Sequence, residues 1–176
     1  MLTQEHLQDA VDYGRCFIKL GSPASYIPEL ARVNKYQLGA CIVNLDGTVM
    51  ECGDTRTRFT IQSISKLASL ILAISDKGSD YLFHDKVGVE PTGDPFNSIV
   101  KLETKTKPFN PFINAGAITV ADCIEGNSSE EKFERFLSFV RKLCGDEEIS
   151  LNEAVYLSEK ATGDRNRALA YYLKAS

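Results

Sequence analysis

Apolar residues fall at helical spacing over 3–20, where Leu7, Val11, Cys16, Ile18 and Leu20 are among the apolar positions and Gly21 ends the run. After Ser22-Pro23-Ala24-Ser25-Tyr26-Ile27-Pro28, a turn leading into a short helix, the pattern changes. Leu38 to Leu45 is apolar on both alternating faces, Asp46-Gly47 makes a hairpin turn, and Thr48 to Cys52 returns. A strand that is apolar on both sides predicts a sheet covered by helices. Residues 57–61 suit a further strand running into a helix whose body is Leu67-Ala68-Ser69-Leu70-Ile71-Leu72-Ala73-Ile74.

The stretch from Ser79 to Pro111 is rich in Gly, Pro and Asp and reads as mostly irregular, long for a passive connection. Helical segments follow. One spans Asn114 to Glu125 and ends at Gly126. Ser128 with Glu131 forms a capping box ahead of the stripe Phe133, Phe136, Leu137, Val140 and Cys144, and Ser150 with Glu153 repeats that signature for a helix through about Ala161. A last helix, Arg165 to Ser176, places Leu169 and Leu173 on one side and needs a surface to cover them. Strands early and helices late predict an α+β fold, an antiparallel sheet covered by helices.

At 176 residues the chain has the length of one domain, with hydrophobic residues at 43% and charged residues at 25%, the balance of a folded soluble protein. A net charge of -4 without a lysine and arginine stripe argues against nucleic acid as a partner. The longest apolar run is far below the ~20 residues of a membrane helix. Met1 to His6 lacks the basic start of a secretion signal, so a cytoplasmic location is expected. Five widely spaced cysteines, Cys16, Cys41, Cys52, Cys123 and Cys144, read as reduced core thiols. The histidines His6 and His84 have no ligand-spaced neighbours, so neither a metal nor another cofactor is expected.

The chemistry-bearing segment is Gln62-Ser63-Ile64-Ser65-Lys66 at the mouth of the apolar helix. Residues three apart share a helix face, so the Lys66 amine is in reach of the Ser63 hydroxyl. Burial and the positive helix end both disfavour the ammonium form, and a neutral lysine accepts a serine proton. S-x-x-K is nonetheless short and common, and serine is a frequent helix cap. Ser65 adjoins Lys66 and reads as a solvated or capping hydroxyl.

Ser63 and Lys66 stand with three longer blocks: Pro91-Thr92-Gly93-Asp94-Pro95-Phe96-Asn97-Ser98, Asn110-Pro111-Phe112-Ile113-Asn114-Ala115-Gly116-Ala117, and Ser158-Glu159 followed by Gly163-Asp164-Arg165-Asn166. Together they resemble the serine-dependent glutaminases from about Gly21 to Ser176. That resemblance implies a β-lactamase/transpeptidase-like fold, hydrolysis of L-glutamine to L-glutamate and ammonia, no metal, and a homotetramer. By the same resemblance Ser63 is the nucleophile, Lys66 its base, and Tyr26, Asn114, Glu159 and Asn166 the substrate-binding set.

Each of these has a plainer reading. Glu159 follows Leu151 and Val155 at steps of four on an apolar edge, where an ion pair to Arg165 or Arg167 would satisfy it. Asn114 suits a cap for a helix starting at Ala115, Asn166 a solvated position near a helix start, and Tyr26 a half-buried ring with a satisfied hydroxyl. A β-lactamase or penicillin-binding protein shares the nucleophile logic. It requires S-D-N and K-T-G, but Ser79-Asp80-Tyr81 fails at its third position and K-T-G does not occur. Glutaminases of this type continue beyond the equivalent of Ser176, so the resemblance implies a catalytic domain cut short at its C-terminal end. A catalytically silent interaction domain with an uncovered last helix is the remaining alternative.

Overall fold

Thr3 opens the first helix, α1 (Gln4–Phe17): its hydroxyl accepts the His6 N–H, and His6 Nδ1 accepts the Thr3 N–H at 3.2 Å. The structure, a computed structural model, describes residues 2–98 and 107–175. These fall into two compact units, Met1–Thr60 with Asn152–Thr162, and Ile61–Leu151 with Gly163–Ser176.

In the first unit, β1 (Gly39–Val43) and β2 (Val49–Gly53) pair antiparallel, with Ala40 opposite Cys52 and Ile42 opposite Met50. Alternation puts those four on one face, where they pack with Leu38 against Leu7 and Val11 of α1. Gly53 closes the hairpin base at φ 74°. A Cβ there would stand 2.2 Å from the Leu38 carbonyl oxygen, so the site tolerates no side chain. The expected cover on both sheet faces is found on one. Val43 and Val49 point to the other and are 67% and 56% exposed.

The strand expected at 57–61 does not form. The Thr55 N–H bonds Gly53 O and the Thr57 N–H bonds Asp54 O at 3.2 Å, so the chain leaves the sheet in a turn. α5 (Glu153–Thr162) belongs to this unit. Asn152, not Ser150, caps it, with Oδ1 accepting the Val155 N–H at 3.0 Å. The Glu29 N–H donates to Ser158 Oγ at 3.1 Å, fastening the segment around Tyr26 to α5.

In the second unit, α2 (Ser65–Lys77) packs on α3 (Asn114–Cys123) and α4 (Ser129–Cys144). Leu70, Leu72, Ala73, Val120, Cys123 and Ile124 form the core with Leu82 and Val87, and Phe136 and Phe139 lean on it. Ala73 and Val120 are wholly buried, and their small side chains let helices approach closely. Ser128 caps α4, accepting the Glu131 N–H, while Glu131 reaches back to the Asn127 N–H rather than to that of Ser128. Tyr81–Lys86 is a single wide π turn inside the stretch expected to be irregular, and its buried Leu82 enters the core. Part of that stretch, 99–106, lies outside the described residues.

α6 (Asp164–Ala175) corrects the expectation of an uncovered last helix. Leu169 is 1% exposed, packed on Ala115 with Ile113, Ile118 and Leu173 beside it. The five cysteines are free, but only Cys52 and Cys123 are core residues; Cys16, Cys41 and Cys144 are exposed. Among the described residues no helix is long and apolar enough to cross a membrane.

Candidate active site

Ser63 lies in a 3-10 turn, Gln62–Ile64, that runs directly into α2. It is not a cap: Ile64 holds the N-cap position without a side-chain bond, and Ser65 Oγ donates back to Gln62 O at 2.6 Å. Gln62 stands at φ 41°, the one non-glycine residue at positive φ among the described residues. A left-handed turn at a long side chain costs energy and persists only where its surroundings enforce it. That kink leaves Ser63 exposed at the helix mouth.

Lys66, one turn on, is half-buried. Its Nζ donates to Phe112 O at 2.8 Å and to Asn114 Oδ1 at 2.9 Å, while the Phe96 ring centroid lies 5.3 Å away. Burial pulls its pKa below the ordinary lysine value of 10.5. The direct Ser63 to Lys66 hydrogen bond expected from spacing is not among the bonds of the described residues. The two acceptors do fix the amine: as a neutral group its two N–H bonds satisfy them, which leaves the lone pair free.

The supporting loop is built by Asn110. Its Oδ1 accepts the N–H groups of Phe112 and Ile113 at 3.0 and 3.2 Å, and its Nδ2 donates to Glu90 O. That turn aims the Phe112 carbonyl at Lys66. Gly116 lets α3 sit against the same loop, since a Cβ there would stand 1.9 Å from Asn110 O. The Asn114 N–H donates to Phe96 O at 2.8 Å, which places the Phe96 ring.

Asn114 begins α3 but does not cap it; Ile113 is the N-cap, and the Asn114 side chain is turned to Lys66 and, through Nδ2, to Asn166 Oδ1 at 3.0 Å. Ser63, Lys66, Asn114 and Asn166 therefore all belong to the second unit, the last three in one bonded chain. Tyr26 and Glu159 belong to the first. Tyr26 is 67% exposed rather than half-buried, held out beside Ile27, which is 1% exposed. Glu159 is half-buried on α5 and makes no ion pair with a described residue of its unit, while Arg167 pairs with Asp164 at 2.7 Å. Phe96, Asn110, the Phe112 carbonyl and Gly116 escaped the sequence reading as working parts, although all lie in or beside its motif blocks.

The site thus presents a serine beside a strained turn, an oriented amine and a chain of amides, and the family follows from comparison. The glutaminase family model matches residues 21–176, and the chain belongs to that family. It is 56% identical over 172 residues to Glutaminase 2 of Clostridium perfringens and 52% identical to a glutaminase of Alkaliphilus metalliredigens, each match covering 97% of this chain and 56% of the relative. The chain thus spans just over half the length of those curated relatives. Among solved structures it resembles a probable glutaminase from Bacillus subtilis complexed with 6-diazo-5-oxo-L-norleucine, with TM-score 0.82, 40% identity, and coverage of 99% of this chain and 52% of that one. It also resembles the covalent complex of a Bacillus subtilis glutaminase with 5-oxo-L-norleucine formed by reaction with that diazo compound, with TM-score 0.80, 40% identity and 98% and 53% coverage. The α+β class holds, as a helix-rich fold with a small antiparallel sheet.

Proposed function

We propose that these residues carry the nucleophilic part of an L-glutamine amidohydrolase. Ser63 Oγ attacks the side-chain carboxamide carbon as neutral Lys66 takes its proton. Lys66 returns that proton to the nitrogen as the C–N bond breaks, and ammonia leaves an acyl ester on Ser63. Water then attacks the ester, giving one proton to Lys66 and releasing glutamate as Ser63 regains its hydroxyl. No cofactor enters this scheme. The observation that carries the reading is the Lys66 amine, lowered in pKa by burial and held by two acceptors beside a strained serine turn.

Asn114 and Asn166 offer amide groups suited to a substrate carboxylate or amide. The roles of Tyr26 and Glu159 rest on family likeness, with Glu159 as partner of the substrate ammonium. The same likeness supports a β-lactamase-like complete fold, a homotetramer and a cytoplasmic location, which sedimentation and cell fractionation test.

Reaction with 6-diazo-5-oxo-L-norleucine tests the nucleophile. Peptide mapping should find the adduct on Ser63, and Ser63→Ala should abolish both labelling and ammonia release from glutamine while the protein remains folded. Labelling of another residue, or near-normal turnover by folded Ser63→Ala, overturns the mechanism.

A further inference from the structure

We infer that Asn166 is a positioning residue for the Lys66 base, acting through Asn114: by accepting the Asn114 amide N–H it holds Asn114 Oδ1 toward Lys66 Nζ. The inference rests on the hydrolase reading above. Asn114 has two unlike ends, an oxygen that accepts and an NH2 that donates. Lys66 as an ammonium only donates, and Asn166 presents Oδ1, which only accepts. One orientation of the Asn114 amide satisfies both neighbours, at 2.9 and 3.0 Å. The reversed orientation sets N–H against ammonium and oxygen against oxygen. Without Asn166 the amide has one partner and is free to turn.

The fold makes this chain stiff at both ends. Leu169 is buried against Ala115, next to Asn114, so the start of α6 is docked where α3 begins. Asn166 Nδ2 meets no acceptor among the described residues, so its two hydrogens are open to an anionic group. An acceptor bound there fixes the Asn166 amide, which fixes Asn114, which keeps the Lys66 lone pair off Phe112 and Asn114 and toward Ser63. Binding at one end of the amide chain is thereby linked to the base at the other.

Charged groups do not supply this control. On the elements packed against α2 the titratable groups are Asp122 and Cys123 at the far end of α3, Glu130, Glu131, Lys132, Glu134, Arg135, Arg141, Lys142 and Cys144 on α4, and Tyr81, His84, Asp85 and Lys86 in the π turn. Asp76 and Lys77 lie on α2 itself, ten residues or more beyond Lys66 and so about 15 Å along its axis. None contributes to the Lys66 shift, whose cause is burial. Asp164 at the start of α6 is paired with Arg167.

The test is the pH dependence of kcat and KM for glutamine in the full-length protein, with Asn166→Asp and Asn166→Leu. Asn166→Asp keeps an acceptor in place and adds negative charge, so KM should rise, because the new carboxylate repels that of the substrate, and the acid limb of kcat should move to higher pH. Asn166→Leu removes the acceptor; kcat should fall about tenfold or more, and the limb should move to lower pH because the ammonium loses a favourable dipole. Rises in KM alone, with kcat and its limb unmoved in both variants, or displacement of both limbs in one direction, would overturn the inference. Should Asn166→Leu fail to fold, Asn166→Asp decides alone through the direction of its limb. A wild-type profile without an acid limb, or turnover by Ser63→Ala, would instead overturn the hydrolase reading.

Discussion

Gly116→Ala is the smallest change that should disable the proposed site without touching a reacting atom. A Cβ at Gly116 would stand 1.9 Å from Asn110 O, 2.8 Å from Asn110 C and 3.1 Å from Pro111 Cα, where ordinary contact begins at 3.4 Å, so helix and loop must part by about 1.5 Å. The neighbours are backbone, which cannot swing aside as a side chain does. The loop that gives way carries the Phe112 carbonyl, and the helix carries Asn114, the two acceptors that hold Lys66 Nζ at 2.8 and 2.9 Å. A displacement of that size removes at least one of these bonds. Misplacement by 1 Å costs about 10²-fold in rate, and overpacking costs about 1–3 kcal/mol in stability. Ammonia release by the full-length Gly116→Ala protein should therefore drop about 10²-fold in kcat, with a lowered melting temperature but a cooperative transition. A folded variant with unchanged kcat would refute the idea that this close approach holds the base.

The proposed base makes Lys66→Arg at least 10²-fold slower, since guanidinium keeps its proton; in the wild type, rate should rise with pH through a value below 10.5 because burial disfavours the ammonium, and full activity in Lys66→Arg counts against the scheme. Glu159→Gln should weaken glutamine by about 1.5–3 kcal/mol, as expected for a charge-assisted hydrogen bond, and leave an analogue without the α-ammonium nearly unaffected; calorimetry showing equal losses would make Glu159 structural. Asp76, whose side chain is 2% exposed, is paired with Arg135 and accepts the Glu125 N–H. Burial pushes its carboxyl up, but those hydrogen bonds and the charges of Arg135 and Lys77 win and hold it below the usual range. Its contribution is present above the ordinary carboxylate pKa and is lost as pH falls through the lowered one. Arg135→Met should lower stability near neutral pH, with the difference from wild type closing below about pH 4; a pH-independent difference would assign the loss to packing.

Elements with a local cause were legible. The hairpin followed from Asp46-Gly47 between apolar runs, α1 from its period, and α4 from Ser128 and its stripe, because each pattern is decided by neighbours in sequence. The misses have long-range causes. Residues 57–61 have the composition of a strand, but the Asp54 turn directs them off the sheet. Tyr81–Lys86 forms a π turn because Leu82 is pulled into a core made of α2, α3 and α4. Leu169 and Leu173 do form an apolar face, but no local signal names α3 as its cover.

The candidate site divides in the same way, and the division says which residues do what. Ser63 and Lys66 could be read together from spacing because they lie one helix turn apart, yet the turn itself is made by Gln62 at φ 41°, a conformation that glutamine does not advertise. Asn114 carried a local reading, the helix cap, that was sound as statistics and wrong here. Ile113 occupies the cap position, and the amide turns instead to partners 48 residues behind it and 52 ahead. An asparagine that forgoes a cap bond of about 1 kcal/mol must gain elsewhere, and the gain is the bond to a half-buried lysine. That exchange supports the proposed function: in place of a cap bond, the amide at the head of this helix bonds a half-buried lysine at one end and a second amide at the other.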